Sequence, residues 1–180
     1  MSLFAISEKG SAKGLPSLLI GGHAVTAHGH PRNTFDLDLL IPRSSLNEWR
    51  AFVLSEGYSI HQESGPFVQF HAPDDETVPL DLMIVSDNAY NAFEAEAQPN
   101  LAASAKVKLV ALKHLLALKS HAIRHGHLGR VEKDVDDVIG LVNANGIDVA
   151  DDVWREVFLR HGPPELYEKL LRIQGRSKPS

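Results

Sequence analysis

Cysteine is absent from the 180 residues, and this alone excludes disulfide frameworks, zinc fingers, iron–sulfur clusters and thiol nucleophiles. Aromatic side chains make up only 7% of the chain, too few to supply the stacking platforms of a large RNA footprint. No apolar run approaches the roughly 18–20 residues that span a membrane. The opening residues MSLFAISEKG lack the charged lead and apolar core of a signal peptide. Together these absences predict a cytoplasmic protein. Neither a Walker-type phosphate loop nor a Gly-x-Ser-x-Gly elbow occurs, so P-loop and serine-hydrolase chemistry are not indicated.

What is present is ordinary globular composition, 43% hydrophobic and 23% charged, in a chain long enough to bury a core without staples. The net charge of −5 does not suggest a general polyanion binder. Its distribution is uneven. Residues 104–133 carry Lys106, Lys108, Lys113, Lys119, Arg124, Arg130 and Lys133 against the single acid Glu132. Such a stretch suits either a phosphate-bearing ligand or a solvated helix face.

The first hundred residues alternate strand and short-helix signals. Leu18-Leu19-Ile20 reads as a buried strand ending at Gly21-Gly22, and residues 23–28 as a short helix. Further strands are expected at 35–41, 58–62, 67–71 and 78–85, with a hairpin through Gly65-Pro66. Ser45 and Glu48 have capping-box spacing for a helix through Ser55, and Ser86 or Asp87 caps another over 88–97. From 104 onward helical periodicity dominates, with helices expected over 104–125, about 130–144, from Asp151, and from Pro163-Pro164. The expectation is an α/β (α+β) protein: a mixed-sheet core over 1–100, with a C-terminal helical domain over 101–180 packed on it. The last five residues are expected to fray.

Asp36 and Asp38 stand one residue apart in a strand pattern, so their side chains leave one face about 6.6 Å apart along it. Two carboxylates so placed repel unless a cation lies between them, and a hard divalent ion such as Mg²⁺ prefers such oxygen ligands. Two solvent-facing acids on the open side of a strand fit the same alternation. Asp81 adds a third acid, interrupting the apolar strand Val78-Pro79-Leu80-Asp81-Leu82-Met83-Ile84-Val85, where it is either an exposed edge group or functional. Three converging acids would suit two-metal phosphoryl transfer. Upstream, Gly21-Gly22 leading into a helix would let backbone N–H groups approach a phosphate.

Gly21-Gly22-His23-Ala24, His28-Gly29 and Arg32-x-Thr34-x-Asp36-x-Asp38-Leu39 resemble the signature of the DNA polymerase β-like nucleotidyltransferases. The match is closest to the small prokaryotic branch that includes abortive-infection toxins. It spans about residues 17–85, with a weaker continuation through Leu116-Ala117-Leu118-Lys119 and Arg130-x-x-Lys133-Asp134-x-x-Asp137. The resemblance implies a nucleotidyltransferase fold, a nucleoside triphosphate such as ATP as substrate, and Mg²⁺ or Mn²⁺ held by Asp36, Asp38 and Asp81 as the catalytic acids. Gly21, Gly22, His23, Arg32 and Thr34 would meet the nucleotide. The pattern often carries Ser where this chain has His23. It implies transfer of a nucleoside monophosphate onto an acceptor, whether small molecule, protein or transfer RNA, the last two in a toxin–antitoxin setting. A non-catalytic relative that binds nucleotide or a partner is the alternative.

In the helical half, Leu109, Leu112, Leu115, Leu116, Leu118, Ala122 and Ile123 form one arc at about 100° per residue. Lys108 and Lys119 fall inside that arc. Lys108 is placed to snorkel; Lys119 must meet an anion, with Asp134 and the triphosphate as the two candidates, the triphosphate preferred. His121, His125 and His127 read as a polar helix terminus rather than a metal site.

Overall fold

Alternating burial is clearest in the strand that carries Asp81. Leu80, Leu82 and Ile84 face inward while Asp81, Met83 and Val85 remain half-buried, the pattern of a strand with one covered face. The computed structural model describes residues 3–100, 104–126 and 128–175; His127 and the last five residues, on which expectations fell, lie outside them. The described elements run α1 (Ala5–Ala12), β1 (Leu18–Leu19), α2 (Gly21–Ala27), β2 (Leu37–Pro42), a 3₁₀ turn (Arg43–Ser45), α3 (Leu46–Ser55), β3 (Ser59–Ser64), β4 (Phe67–His71), β5 (Leu80–Val85), α4 (Asp87–Ala95), β6 (Gln98–Asn100), β7 (Ser104–Leu109), α5 (Leu112–His125), α6 (Leu128–Ala144), α7 (Asp152–His161) and α8 (Pro164–Ile173).

The strands form one mixed seven-stranded sheet in the order β3-β4-β5-β2-β1-β7-β6. β2 and β5 run parallel, whereas β1 is antiparallel to β2 and parallel to β7. Leu37, Leu39 and Ile41 of β2 and Leu80 and Leu82 of β5 are fully covered, as are Leu18 and Leu19 of β1. α1 was not expected. Its Gly10 leaves room for Trp49, whose ring would overlap any Cβ there, and the Trp49 indole donates to the Pro16 carbonyl at 2.9 Å.

The chain divides into two units. The first comprises residues 1–27 and 32–111, and holds the sheet; the second takes residues 28–31 together with the chain from 112 onward. In the second, α5 packs on α6 and α7, and α7 on α8. Asp151 caps α7 by accepting from the Val153 N–H at 3.0 Å, and Pro164 opens α8 where its missing N–H costs nothing.

Three local expectations are corrected. The helix expected over 104–125 begins only at Leu112, because Val107 and Leu109 are buried with Lys108 exposed between them. That two-residue alternation pairs β7 with β1 and β6 instead. Lys108 therefore does not snorkel from a helix; it pairs with Glu94 at 2.6 Å. The Ser45 capping box does not form either. Ser45 sits in the 3₁₀ turn with helical dihedrals, and its side chain makes no cap, while Ser86 does cap α4 through the Ala89 N–H at 3.3 Å.

Candidate active site

The site is built by strand register. Parallel pairing sets Asp38 of β2 directly beside Asp81 of β5, and Asp36 lies in the bend just ahead of β2, two residues before Asp38. One carboxylate oxygen from each of the three lies within 4.8 Å of the others, and all three residues are half-buried. Adjacent hydrogen bonds fix two of them. The Thr34 hydroxyl donates to Asp36 Oδ1 at 2.9 Å, and the Gln69 amide donates to Asp81 Oδ2 at 2.7 Å. Gln69 of β4 lies opposite Asp81 in the antiparallel ladder. Sequence reasoning missed it; the signal was a lone polar residue between Val68 and Phe70, both buried.

The glycine turn closes on these acids. Gly21 has φ +63°, a left-handed conformation that glycine adopts at low cost. A Cβ on it would overlap the Asp38 carboxylate, so the absence of a side chain is what lets backbone and carboxylate lie together. A Cβ on Gly22 would meet Thr34 Oγ1 at 2.6 Å and the Arg32 guanidinium at 2.7 Å. Gly21, Gly22, Arg32, Thr34, Asp36, Asp38 and Asp81 are thus gathered in one place in the sheet unit. His23 follows the turn with its ring edge-on to Phe4 at 5.5 Å. Burial pushes its pKa below the ordinary imidazole value; Asp36 opposes this and Arg32 reinforces it. Its Nε2 is buried without a hydrogen-bond partner among the described residues.

Hard carboxylate oxygens are the donor set that Mg²⁺ or Mn²⁺ prefers. Three of them within 4.8 Å of one another fit such an ion.

Comparison with solved structures agrees with this architecture. Over 87% of this chain and 95% of the other, the structure superposes on ANT(2'')-Ia in complex with adenylyl-2''-tobramycin, with a TM-score of 0.63 and 16% identity. The solution structure of the antibiotic-resistance factor ANT(2'')-Ia gives 0.64 and 16% over 97% of this chain and 99% of that one. The lincosamide antibiotic adenylyltransferase LnuA, lincomycin-bound, gives 0.55 and 15% over 77% and 93%. The fold is that of a nucleotidyltransferase. By sequence, no protein-family description and no curated protein matches the chain.

Lys119, His121 and His125 belong to the helical unit. Lys119 is buried in the helical unit, its ammonium 2.6 Å from Asp134 Oδ1 and 2.8 Å from Asp137 Oδ2. This is the structural pairing weighed for it, enlarged by a second acid; the triphosphate contact preferred for it stays an expectation. His121 and His125 lie 4.5 Å apart, ring to ring. Three of the seven basic side chains of the stretch have partners: besides Lys108 and Lys119, Arg124 donates to the Leu159, Arg160 and Gly162 carbonyls.

Proposed function

We propose that the chain transfers a nucleoside monophosphate from a nucleoside triphosphate to a hydroxyl of an acceptor, at the aspartate triad. The convergence of Asp36, Asp38 and Asp81 within 4.8 Å, on a fold shared with adenylyltransferases, carries this reading. The acceptor oxygen bonds to the α-phosphorus, the bond from that phosphorus to the bridging oxygen breaks, and pyrophosphate leaves. Mg²⁺ or Mn²⁺ bound at the triad supplies charge neutralisation and orientation of the phosphates.

This chain's residues divide the remaining work. Asp36 and Asp38 are the primary ligands. Asp81, oriented by Gln69, is placed to take the proton of the attacking hydroxyl. Gly21 and Gly22 allow the triphosphate close to the backbone, and Arg32 and Thr34 beside Gly22 supply a cation and a hydroxyl to it. Neutral His23 donates one hydrogen bond, the role of the serine common at that position.

The acceptor we favour is a small hydroxyl-bearing molecule. ANT(2'')-Ia was captured with adenylyl-2''-tobramycin and LnuA with lincomycin, and this chain spans most of the length of both. A toxin acting on transfer RNA needs basic surface, which the buried Lys119 and the paired Lys108 and Arg124 reduce. The non-catalytic alternative draws on the partnerless Nε2 of His23.

The test measures calorimetric binding of ATP, CTP, GTP and UTP with Mn²⁺, and pyrophosphate release with tobramycin, lincomycin and transfer RNA as trial acceptors. Asp36→Asn should retain the fold, lose metal-dependent nucleotide binding and reduce any transfer by about a hundredfold or more, the scale of losing one electrostatic contact to the reacting phosphate. Unchanged Mn²⁺–ATP affinity in Asp36→Asn would sink the reading.

A further inference from the structure

Strand β3 forms one edge of the sheet, and all six of its residues are exposed. Side-chain burial therefore does little to hold it. Its attachments are the ladder to β4 and the ion pair of Arg50 with Glu63 at 2.8 Å, an exposed contact of the kind that contributes little. The ladder itself slips by one residue. Ile60 stands opposite Phe70 but Gln62 stands opposite Gln69, so His61 is an extra residue with nothing directly across from it. Bulges of this sort re-aim a side chain. The His61 ring meets the ring of His71 across the diagonal, with centres 4.2 Å apart and planes tilted by 57°.

Both imidazoles are exposed, and neither takes part in a hydrogen bond or ion pair among the described residues. Two adjoining rings with uncommitted nitrogens are a chelating pair, imidazole being the commonest metal ligand. A tetrahedral zinc ion binds nitrogen at about 2.0–2.1 Å, so two nitrogens that share it lie roughly 3.4 Å apart. Ring centres 4.2 Å apart are compatible with that span. Imidazole suits Zn²⁺, Cu²⁺ and Ni²⁺, whereas carboxylates such as those of the triad suit Mg²⁺ and Mn²⁺. Local charge favours a cation as well. Asp74, Asp75 and Glu76 follow His71 closely, and no Lys or Arg occurs between residues 72 and 105. The other adjoining pair, His121 and His125, differs on two counts: Arg124 acts on His121 with a charge that opposes a cation, and both rings stand on one helix, so an ion there would join nothing.

We propose that His61 and His71 form a transition-metal site, with water completing the coordination, that fastens the edge strand β3 to β4. The bound ion bridges two strands, so it stabilises their pairing to the extent that it prefers the paired rings to parted ones. Its ligands all lie in the sheet unit, and the site does not depend on nucleotidyl transfer.

The test uses the whole chain, with Mg²⁺ in excess to fill carboxylate sites and Cu²⁺ as a paramagnetic probe. Sub-stoichiometric Cu²⁺ should broaden the backbone amide resonances of residues 59–62 and 70–72. His61→Ala and His71→Ala should each abolish that broadening; because both rings are exposed, neither change reaches the core. Any broadening at residues 121–125 should be the same in all three proteins, as expected of an independent event. With Zn²⁺ in place of Cu²⁺, the β3 amides should exchange with solvent at least about fivefold more slowly, an effect reversed by a chelator and missing from both variants. Hairpin resonances that stay sharp with Cu²⁺, or broadening that survives either substitution, overturn the site. Unchanged β3 exchange in the presence of Zn²⁺ overturns the fastening of the strand.

Discussion

Each unit brings acidic side chains together, and the two solve the resulting repulsion differently. In the helical unit Asp134 and Asp137 are buried and share the Lys119 ammonium at 2.6 and 2.8 Å. In the sheet unit Asp36, Asp38 and Asp81 are half-buried, and Thr34 and Gln69 orient two of them through neutral donors. A lysine compensates charge permanently and so serves structure. Neutral donors such as Thr34 and Gln69 fix the direction of a carboxylate without adding a charge of their own. The difference marks the helical cluster as architecture; for the sheet cluster it is consistent with the cation site proposed above.

The comparison breaks most severely at Lys119. Lys119→Met strands two buried carboxylates without their counter-charge, and removal of one partner from a buried ion pair costs about 3–5 kcal/mol. At about 2–4 °C per kcal/mol for a chain of this size, the melting temperature should drop by roughly 10 °C. Adding Asp134→Asn and Asp137→Asn should recover much of it. In contrast, Asp36→Asn relieves like-charge repulsion and should leave the metal-free melting temperature unchanged or higher. If Lys119→Met melts as the parent does, the two clusters are not the different devices described here.

The legible part of this contrast was the local part. The Asp-x-Asp pair between Leu37, Leu39 and Ile41, and the single acid in the β5 strand, could be read because alternation is a property of neighbouring residues. Lys119 stood out because a helical arc makes a misplaced charge visible. What held the groups was not legible. Gln69 reaches Asp81 only through the antiparallel register of β4 on β5, and Asp137 joins Lys119 only through the packing of α5 on α6. β7 was hidden for a different reason: the helical period that starts at Leu112 overran a short strand whose Val107 and Leu109 fit either pattern.

A smaller and cleaner break is available at the glycine turn. Gly21 and Gly65 have similar positive φ, +63° and +56°. A Cβ at Gly65 would meet nothing within 4 Å, whereas one at Gly21 would overlap the Asp38 carboxylate. Alanine at either position bears the left-handed penalty, roughly 1–2 kcal/mol. Gly65→Ala should show that loss alone, with nucleotide binding intact. Gly21→Ala should show a larger loss of stability together with loss of Mn²⁺-dependent ATP binding, because Asp38 must move. Equal melting temperatures and equal affinities in the two variants would mean that Asp38 can leave Gly21 without consequence.

The smallest effect concerns protons. The helical unit places His161 near Arg160, His121 and Arg124, with Glu156 as the opposing charge. Burial, followed by those three neighbours, pushes its pKa below the ordinary imidazole value. His121 is lowered in the same way by burial, His125 and Arg124. When the folded-state pKa of a histidine is depressed, the unfolded chain takes up the proton first as pH falls. The stability such a group contributes is therefore complete above about pH 6.5, the ordinary imidazole value, and is lost as pH falls through the lowered folded value. Melting temperatures measured between pH 7.5 and pH 5.5 should decline, and His161→Gln should flatten that decline by removing one of the two imidazoles. Glu156→Gln removes the one acid that favours the protonated ring, so it should steepen the decline. A Glu156→Gln profile that flattens instead would mean that the nearby arginines do not govern His161.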